Sequence, residues 1–315
     1  ALALTLTLLP AAALAAEADA AVPTAATVFT DVDGHWAEDA ISRWSNYGVV
    51  QGSAGRFDPN GGLTCAQMAT ILDNLLRLGA AGSAGFTDVT PNAWYAGSIN
   101  RCAAAGILNG NGDGTVDPDS PITRERAMVI LARALGIAPK ANADLKNYSD
   151  RSAVSGYAAP YVGALIDAGI VSGVTDTALA PQDGINRAST VTILDRAIGT
   201  YANEKGARVA AGGEGITLVV ADEVTITGGA GTLLVPTDNI NVTLDGSKAA
   251  DHVAITGDNA TVTVKSTGVE SASVSGENSK LILESSNAGE VTVSGAKSSV
   301  ETKGTTTVEN VSVTE

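Results

Sequence analysis

The sequence predicts two folds in tandem: a mainly α region in which three repeats share one helical core, then an all-β region built as a parallel β-solenoid. Three observations predict this. Residues 29–201 hold three diverged copies of one segment, about sixty residues each. Each copy carries two stretches with apolar residues at helical spacing. From about Gly212 the composition shifts to Val, Thr, Ser and Gly, and glycines recur nineteen residues apart.

The first copy opens FTDVDGHWAEDAI at Phe29, the second FTDVTPNAWYAGSI at Phe86 and the third YSDRSAVSGYAAPYV at Tyr148. Trp36, Trp94 and Tyr157 correspond, as do Gly52, Gly110 and Gly173, then Pro59, Pro118 and Pro181. In the first helix of each copy, Ile41, Ile99 and Val162 follow the aromatic by five residues. Gly48, Gly106 and Gly169 come seven residues later, where a left-handed residue ends a helix. The second helix carries Ala69, Leu72 and Leu76, then Met128, Leu131 and Leu135, then Val191, Leu194 and Ile198. One apolar stripe needs a partner stripe. Two short helices bury little alone, so three copies around one axis are the economical core. The third copy is the least regular, with Val154, Ser155 and Gly156 before its aromatic.

In order, each copy reads aromatic-Asp, helix, Gly-x-x-x-Gly, Phe/Val/Leu-x-Pro, Leu/Ile-Thr/Asn and second helix. That order resembles the S-layer homology family over roughly residues 29–201. The resemblance implies a pseudo-threefold spindle of helices whose grooves hold an anionic wall polysaccharide, often through a pyruvate acid group. It divides the chain into repeats at 27–80, 84–139 and 146–201. A connector at 202–214 and a β-solenoid-like region at 215–315 follow.

The start of each second helix carries the strongest site signal. Thr64, Thr123 and Asn186 are N-cap residues, and Thr64 with Gln67 has capping-box spacing. An arginine just inside a helix start combines a fixed charge with the positive dipole end and free amides, which suits a carboxylate. In the family resembled, the motif here is Thr-Arg-Ala-Glu, and its arginine is implicated in gripping the polymer. That role passes to Arg124 and Arg187; the bland alternative is pairing with a nearby carboxylate. Copy one has Cys65 instead, so a groove depending on that position should bind weakly or not at all. Trp36, Trp94 and Tyr157 either stack on sugar faces or close the core. Gly52, Gly110 and Gly173 either admit polymer close to the backbone or supply positive φ. Asp31, Asp88 and Asp150 either accept from sugar hydroxyls or hold a structural turn.

Acidic residues outnumber basic ones 34 to 19, for a formal charge of −15. That balance argues against nucleic acid, while a few placed arginines still suit an anionic polysaccharide. Two distant histidines, His35 and His252, and no recognisable nucleophile motif give catalysis little support, and no cofactor or metal is expected. Asn109 to Asp117 mimics a calcium loop, but Ser120 stands where the twelfth-position glutamate belongs. Cys65 and Cys102 either pair in an oxidising compartment or stand as isolated thiols. Residues 1–26 look like the remnant of a secretory signal peptide and leader: the run Leu2 to Leu14 is apolar, broken by Pro10 and followed by small residues. It is too short for a transmembrane segment.

In the β region, runs such as Thr261-Val-Thr-Val and Val291-Thr-Val-Ser alternate β-branched and small polar residues, the strand period. Gly257, Gly276 and Gly295 keep a nineteen-residue step, the length of one solenoid coil. An antiparallel sandwich of hairpins is the alternative; the constant period favours the solenoid. The pattern is still running at Glu315, which sets an expectation of a longer natural chain or a protecting neighbour. The expected function is therefore non-covalent anchoring of an exported protein to a wall polysaccharide, or to peptidoglycan itself. The β region would serve as spacer, lattice or display element, with self-association in a surface layer. The alternative is a wall-anchored polysaccharide-active enzyme with its catalytic part in or beyond the β region.

Overall fold

A computed structural model describes residues 29–246 and 250–314; the leader at 1–26 lies outside them. Each repeat contributes two helices: α1 (Glu38–Asn46) and α2 (Cys65–Leu76), α3 (Ala96–Ala104) and α4 (Arg124–Ala134), α5 (Ala159–Asp167) and α6 (Arg187–Ala197). The first helices are nine residues long and lack side-chain caps at their starts. They stop at Gly48, Gly106 and Gly169, whose φ values are 73°, 69° and 69°. Just beyond, the amides of Val49, Ile107 and Ile170 reach back to Trp44, Cys102 and Leu165 at 2.9, 2.9 and 3.0 Å, the long bond of a Schellman ending. The second helices carry the expected caps. Thr64 accepts from the Gln67 amide at 3.3 Å while the Gln67 side chain accepts from the Thr64 amide at 3.0 Å. Thr123 and Asn186 accept from Arg126 and Ser189.

The repeats close into a ring by domain-wise exchange of partners. Each first helix packs on the second helix of the preceding repeat: α3 on α2, α5 on α4 and α1 on α6. Two of these seams carry equivalent ion pairs, Arg101 with Asp73 and Arg43 with Asp195. At the third seam the corresponding residues are Ala164 and Ala132, so that seam has no equivalent pair. On the axis the backbone closes on itself. Leu63 N–H donates to Ile185, Ile185 N–H to Ile122 and Ile122 N–H to Leu63, at 3.0, 3.0 and 2.9 Å. All three side chains are buried, as are the predicted stripe residues from Ala69 to Ile198. Three half-cores thus become one.

The predicted solenoid is present, and every strand pairing in it is parallel. Its first coils hold β1 (Ile198–Ala202), β2 (Arg208–Ala210), β3 (Ile216–Val219), β4 (Val224–Thr227), β5 (Ala230–Val235) and β6 (Asn241–Asp245). Then come β7 (Ala250–Ile255), β8 (Thr261–Lys265), β9 (Gly268–Val274), β10 (Lys280–Glu284), β11 (Asn287–Val293), β12 (Ser299–Lys303) and β13 (Thr307–Val313). Odd strands make one seven-stranded sheet and even strands a six-stranded one, so each coil gives one strand to each face. Thr261, Lys280 and Ser299 are register partners, which is the nineteen-residue period in space. Inward ladders such as Val262–Leu281 and Val253–Ala272–Val291 fill the interior. The repeating glycines are set by coil contact: a Cβ at Gly276 would lie 2.0 Å from the Gly257 carbonyl oxygen. At the neighbouring corner Asn259 and Asn278 both sit at φ 53°, and the Asn278 amide donates to the Asn259 side-chain oxygen at 2.7 Å. Asparagine tolerates that backbone better than most residues.

The stretch 202–214 differs from the expected connector. β1 follows α6 directly and β2 lies inside the stretch, so it forms part of the first coil. The reason is that the solenoid caps the ring. Tyr201 Oη donates to the Leu75 carbonyl at 3.0 Å, Thr237 Oγ1 to Leu76 at 2.8 Å and the Arg77 guanidinium to Asn203 at 3.0 Å. The carbonyls at the end of α2 thus find partners in the β region.

Candidate polysaccharide-binding grooves

Each predicted site residue belongs to a device that occurs three times with small variations. The aspartates hold the loop between the two helices. Asp31 accepts from the amides of Phe57 and Asp58, both at 2.8 Å. Asp88 does the same for Val116 and Asp117, and Asp150 for Leu179 and Ala180. At Asp150 the Leu179 amide is the largest influence and holds the carboxyl below its usual pKa, with burial opposing and the Ala180 amide adding to it. At Asp31 burial pushes upward, but the two amides and Arg56 outweigh it. These carboxylates satisfy backbone donors, the turn role.

The glycines serve a different need from the one that positive φ suggests. Gly110 has φ 68°, whereas Gly52 and Gly173 do not lie in that region. All three sit under the aromatic that opens their repeat. A Cβ would come within 2.4 Å of the Phe29 ring at Gly52, 2.5 Å of Phe86 at Gly110 and 2.9 Å of Tyr148 at Gly173. Close packing against ring and backbone selects glycine here.

The helix-start amides are also not available to a ligand, contrary to the sequence-based expectation. Cys65 and Ala66 donate to Ser120 and Pro118, Arg124 and Glu125 to Asp183 and Pro181, and Arg187 and Ala188 to Gly61 and Pro59. Each helix start is capped by the loop of the next repeat around the ring. The reason is economy, because the ring seams would otherwise bury these donors unpaired. What remains for a ligand is the side chain. Arg124 Nε donates to the Leu179 carbonyl at 3.0 Å, and Arg187 Nε to the equivalent Phe57 carbonyl at 2.8 Å. Arg187 also donates to Gln51 at 2.7 Å and lies over the Phe57 ring, 4.3 Å from its centroid. Burial lowers the pKa of both guanidinia, opposed by Asp183 at Arg124 and by Asp58 and Asp31 at Arg187. Arginine stays charged throughout.

Around these two arginines the ring is grooved. One cavity of about 320 Å³ joins Arg124, the Val171–Val174 turn, Ser189, Ile193, Arg196 and Trp36. A second, of about 330 Å³, joins Arg187, Gln51, Gln67, Ile71, Asn74 and Trp94. Each takes its arginine from one repeat, its wall from the next and its aromatic from the third. Trp36 and Trp94 are 64% and 66% exposed and Tyr157 is 55% exposed, so these rings stand at the surface and do not close the core. Core closure falls to Trp44, fully buried, which sequence reasoning had not singled out.

Two further residues were missed. Glu125, buried, accepts from the Ser155 amide at 2.9 Å and the Ser155 hydroxyl at 2.6 Å. It also accepts from the Tyr157 hydroxyl at 3.4 Å. This anchors the irregular entry of the third repeat, and its signal was the glutamate where the other copies have Ala66 and Ala188. Arg126 is the second, and its guanidinium donates to the Val116 carbonyl at 3.1 Å. Cys65 and Cys102 are both buried free thiols, and Cys102 packs its sulfur 3.4 Å from the Ala69 carbonyl. Burial pushes its thiol up to about 12. In the loop that mimics a calcium site, Asn111 and Asp113 spend their polar groups on Thr115 and Asp117.

The S-layer homology domain family matches residues 28–69, 85–125 and 147–190. A surface-layer 125 kDa protein of Lysinibacillus sphaericus is 32% identical over 193 residues, covering 59% of this chain and 16% of that protein. An amylopullulanase of Thermoanaerobacterium thermosulfurigenes is 29% identical over 171 residues, 53% of this chain and 9% of the enzyme. A cellulosome-anchoring protein of Acetivibrio thermocellus is 27% identical over 150 residues, 46% of this chain and 34% of that protein. The chain thus spans a minor share of the length of the relatives it matches. Three family matches fall on the three units of the ring, and the chain carries three S-layer homology domains followed by a parallel β-solenoid.

Proposed function

We propose that the ring anchors this protein non-covalently to an anionic cell-wall polysaccharide at the bacterial surface. One observation carries the reading. In a chain with a formal charge of −15, Arg124 and Arg187 form no carboxylate ion pair among the described residues. Each instead lines an open groove beside an exposed tryptophan. A guanidinium braced through Nε on a backbone carbonyl, with an indole opposite, suits a sugar that bears a carboxylate, such as a pyruvate ketal. The relatives' names, a surface-layer protein and a cellulosome-anchoring protein, fit the same reading. Gly173 lines the Arg124 groove, while Gly52, Gly110, Asp31, Asp88 and Asp150 hold the loops beside the grooves and spend no polar group on the polymer. Trp36, Trp94 and Tyr157 supply the stacking faces.

The solenoid acts as a rigid spacer or display element standing on the ring, and as a lattice element if copies associate in a surface layer. Among the described residues no helix is long and apolar enough to cross a membrane. A wall-anchored enzyme is the second reading; it rests on the amylopullulanase, whose likeness to this chain is confined to 9% of its length.

The test is binding of the chain to purified wall sacculi before and after acid removal of secondary polysaccharide, with Arg124→Ala and Arg187→Ala alongside. Binding should vanish on stripping and fall about tenfold or more in each variant, the worth of a charge-assisted hydrogen bond. Equal binding to stripped walls would move the ligand to peptidoglycan, and no binding to either would overturn anchoring.

A further inference from the structure

The first repeat lacks the helix-start arginine, so its groove reads from the sequence as disabled. The structure points the other way. Leu179 and Phe57, the carbonyls that brace Arg124 and Arg187, have Val116 as their equivalent in the second repeat. That carbonyl is not left unpaired. Arg126 Nη2 donates to it at 3.1 Å and lies 3.9 Å from Cys65 Sγ. A guanidinium therefore reaches the same spot from a different helix: position 126 corresponds to Gln67 and Ser189, both of which line the other two grooves. It also stands where the family's usual motif has its glutamate, so the local charge is reversed.

The residues around Arg126 follow the same rotation. Arg133 corresponds to Asn74 and Arg196, again lining residues of the two cavities. Its guanidinium sits over the Tyr161 ring of the third repeat, 5.3 Å from the centroid. Tyr157 supplies the exposed ring, tethered to Glu125, and Arg126 and Arg133 are both near enough to Tyr157 to act on its hydroxyl electrostatically. Among the described residues neither arginine forms an ion pair with a carboxylate. Arg126 and Arg133 bring two guanidinia without a carboxylate ion pair to this side of the ring, beside the Glu125 carboxylate that holds Tyr157, where the groove of Arg187 has Gln67 and Asn74 in their places.

We infer that the third groove is a working site for a carboxylate-bearing sugar, with Arg126 replacing the arginine that Cys65 displaces and Arg133 as a second cation. The inference rests on the anchoring reading for its ligand class and extends it to a groove that the repeat pattern marks as lost.

The test uses the whole chain and a methyl hexoside carrying a pyruvate ketal, with the methyl ester of that ketal as uncharged control. Calorimetry counts sugars bound, and 15N spectra follow the arginine Nε–H signals. The acid sugar should fill about three sites per chain and move the signals of Arg124, Arg187 and Arg126, a charge-dependent response absent with the ester. Arg126→Gln installs the residue that the first repeat tolerates at this place. It should drop the count to about two while the Arg124 and Arg187 signals still respond. Adding Cys65→Arg to that variant puts the guanidinium back at the helix start and should restore the third sugar. Two sugars per wild-type chain with the Arg126 signal unmoved would overturn the inference and leave anchoring intact. An unchanged count in Arg126→Gln would overturn it too. If neither Arg124 nor Arg187 responds in the wild type, the anchoring reading fails and the third groove falls with it.

Discussion

The ring and the solenoid are both built from repeats, yet they use repetition in opposite ways. In the ring, three copies close on one another, and each copy's polar ends are satisfied by the next: helix-start amides by a neighbour's loop, axial amides by a neighbour's carbonyl. In the solenoid, each coil pairs with the coils before and after it, at a step of nineteen residues from β8 through β10 to β12 and a variable one in the first coils, which also cap the ring. The ring therefore has seams at which three different repeats meet, and those seams are where the grooves form. Away from the ring, the solenoid stacks coil on coil and has no such meeting points. Grooves follow seams, and length follows stacking.

The comparison predicts how far damage travels. Ile122→Ala and Leu283→Ala each truncate a fully buried side chain and should each cost ~2–5 kcal/mol. Hydrogen exchange should show the first loosening all six ring helices together and the second only the coils around β8, β10 and β12. Ring protection lost in one repeat alone would break the contrast. Next in size is Gly276→Ala, whose new Cβ meets the Gly257 carbonyl at 2.0 Å. Forced separation of coils should cost about 1–3 kcal/mol in a denaturant melt, whereas the same change at Gly62, which has open space around it, should cost far less.

A third prediction concerns pH. The depressed pKa of Asp150 means that its carboxylate stabilises the fold fully above the ordinary carboxylate range, near pH 4. That stabilisation is lost as pH falls through the lowered folded value. Asp150→Asn should reduce Tm at neutral pH and flatten the acid arm of the Tm–pH curve; a parallel shift of the whole curve would show that the charge is irrelevant. The smallest effect belongs to the solenoid surface. Lys297→Ala removes an exposed pair with Glu277 at 3.1 Å and should change stability by less than about 0.5 kcal/mol.

Much of this was legible in advance because it is local. Helix-ending glycines, the Thr64–Gln67 box and the apolar stripe positions are decided by bonds within a few residues or by side-chain period. The nineteen-residue step of Gly257, Gly276 and Gly295 was equally readable, because those coils stack in one register. Other features were illegible for an equally physical reason. The sequence suggested free amides at the helix starts, and no local signal says that Pro59, Pro118 and Pro181 would fill them from another repeat. It likewise offered positive φ for Gly52 and Gly173, whose constraint is a ring packed from elsewhere in the repeat.

The sequence by itself determined the number of repeats, the two architectures and the caps, and it offered Arg124, Arg187, Trp36, Trp94 and Tyr157 as candidates for a sugar site. Only the tertiary structure decided which of them share a groove, because each groove draws on three repeats far apart in the chain. It also decided that Cys65 does not leave a gap. A guanidinium is long enough to reach one carbonyl from either of two positions on neighbouring helices, and the choice between them appears only once the ring has closed.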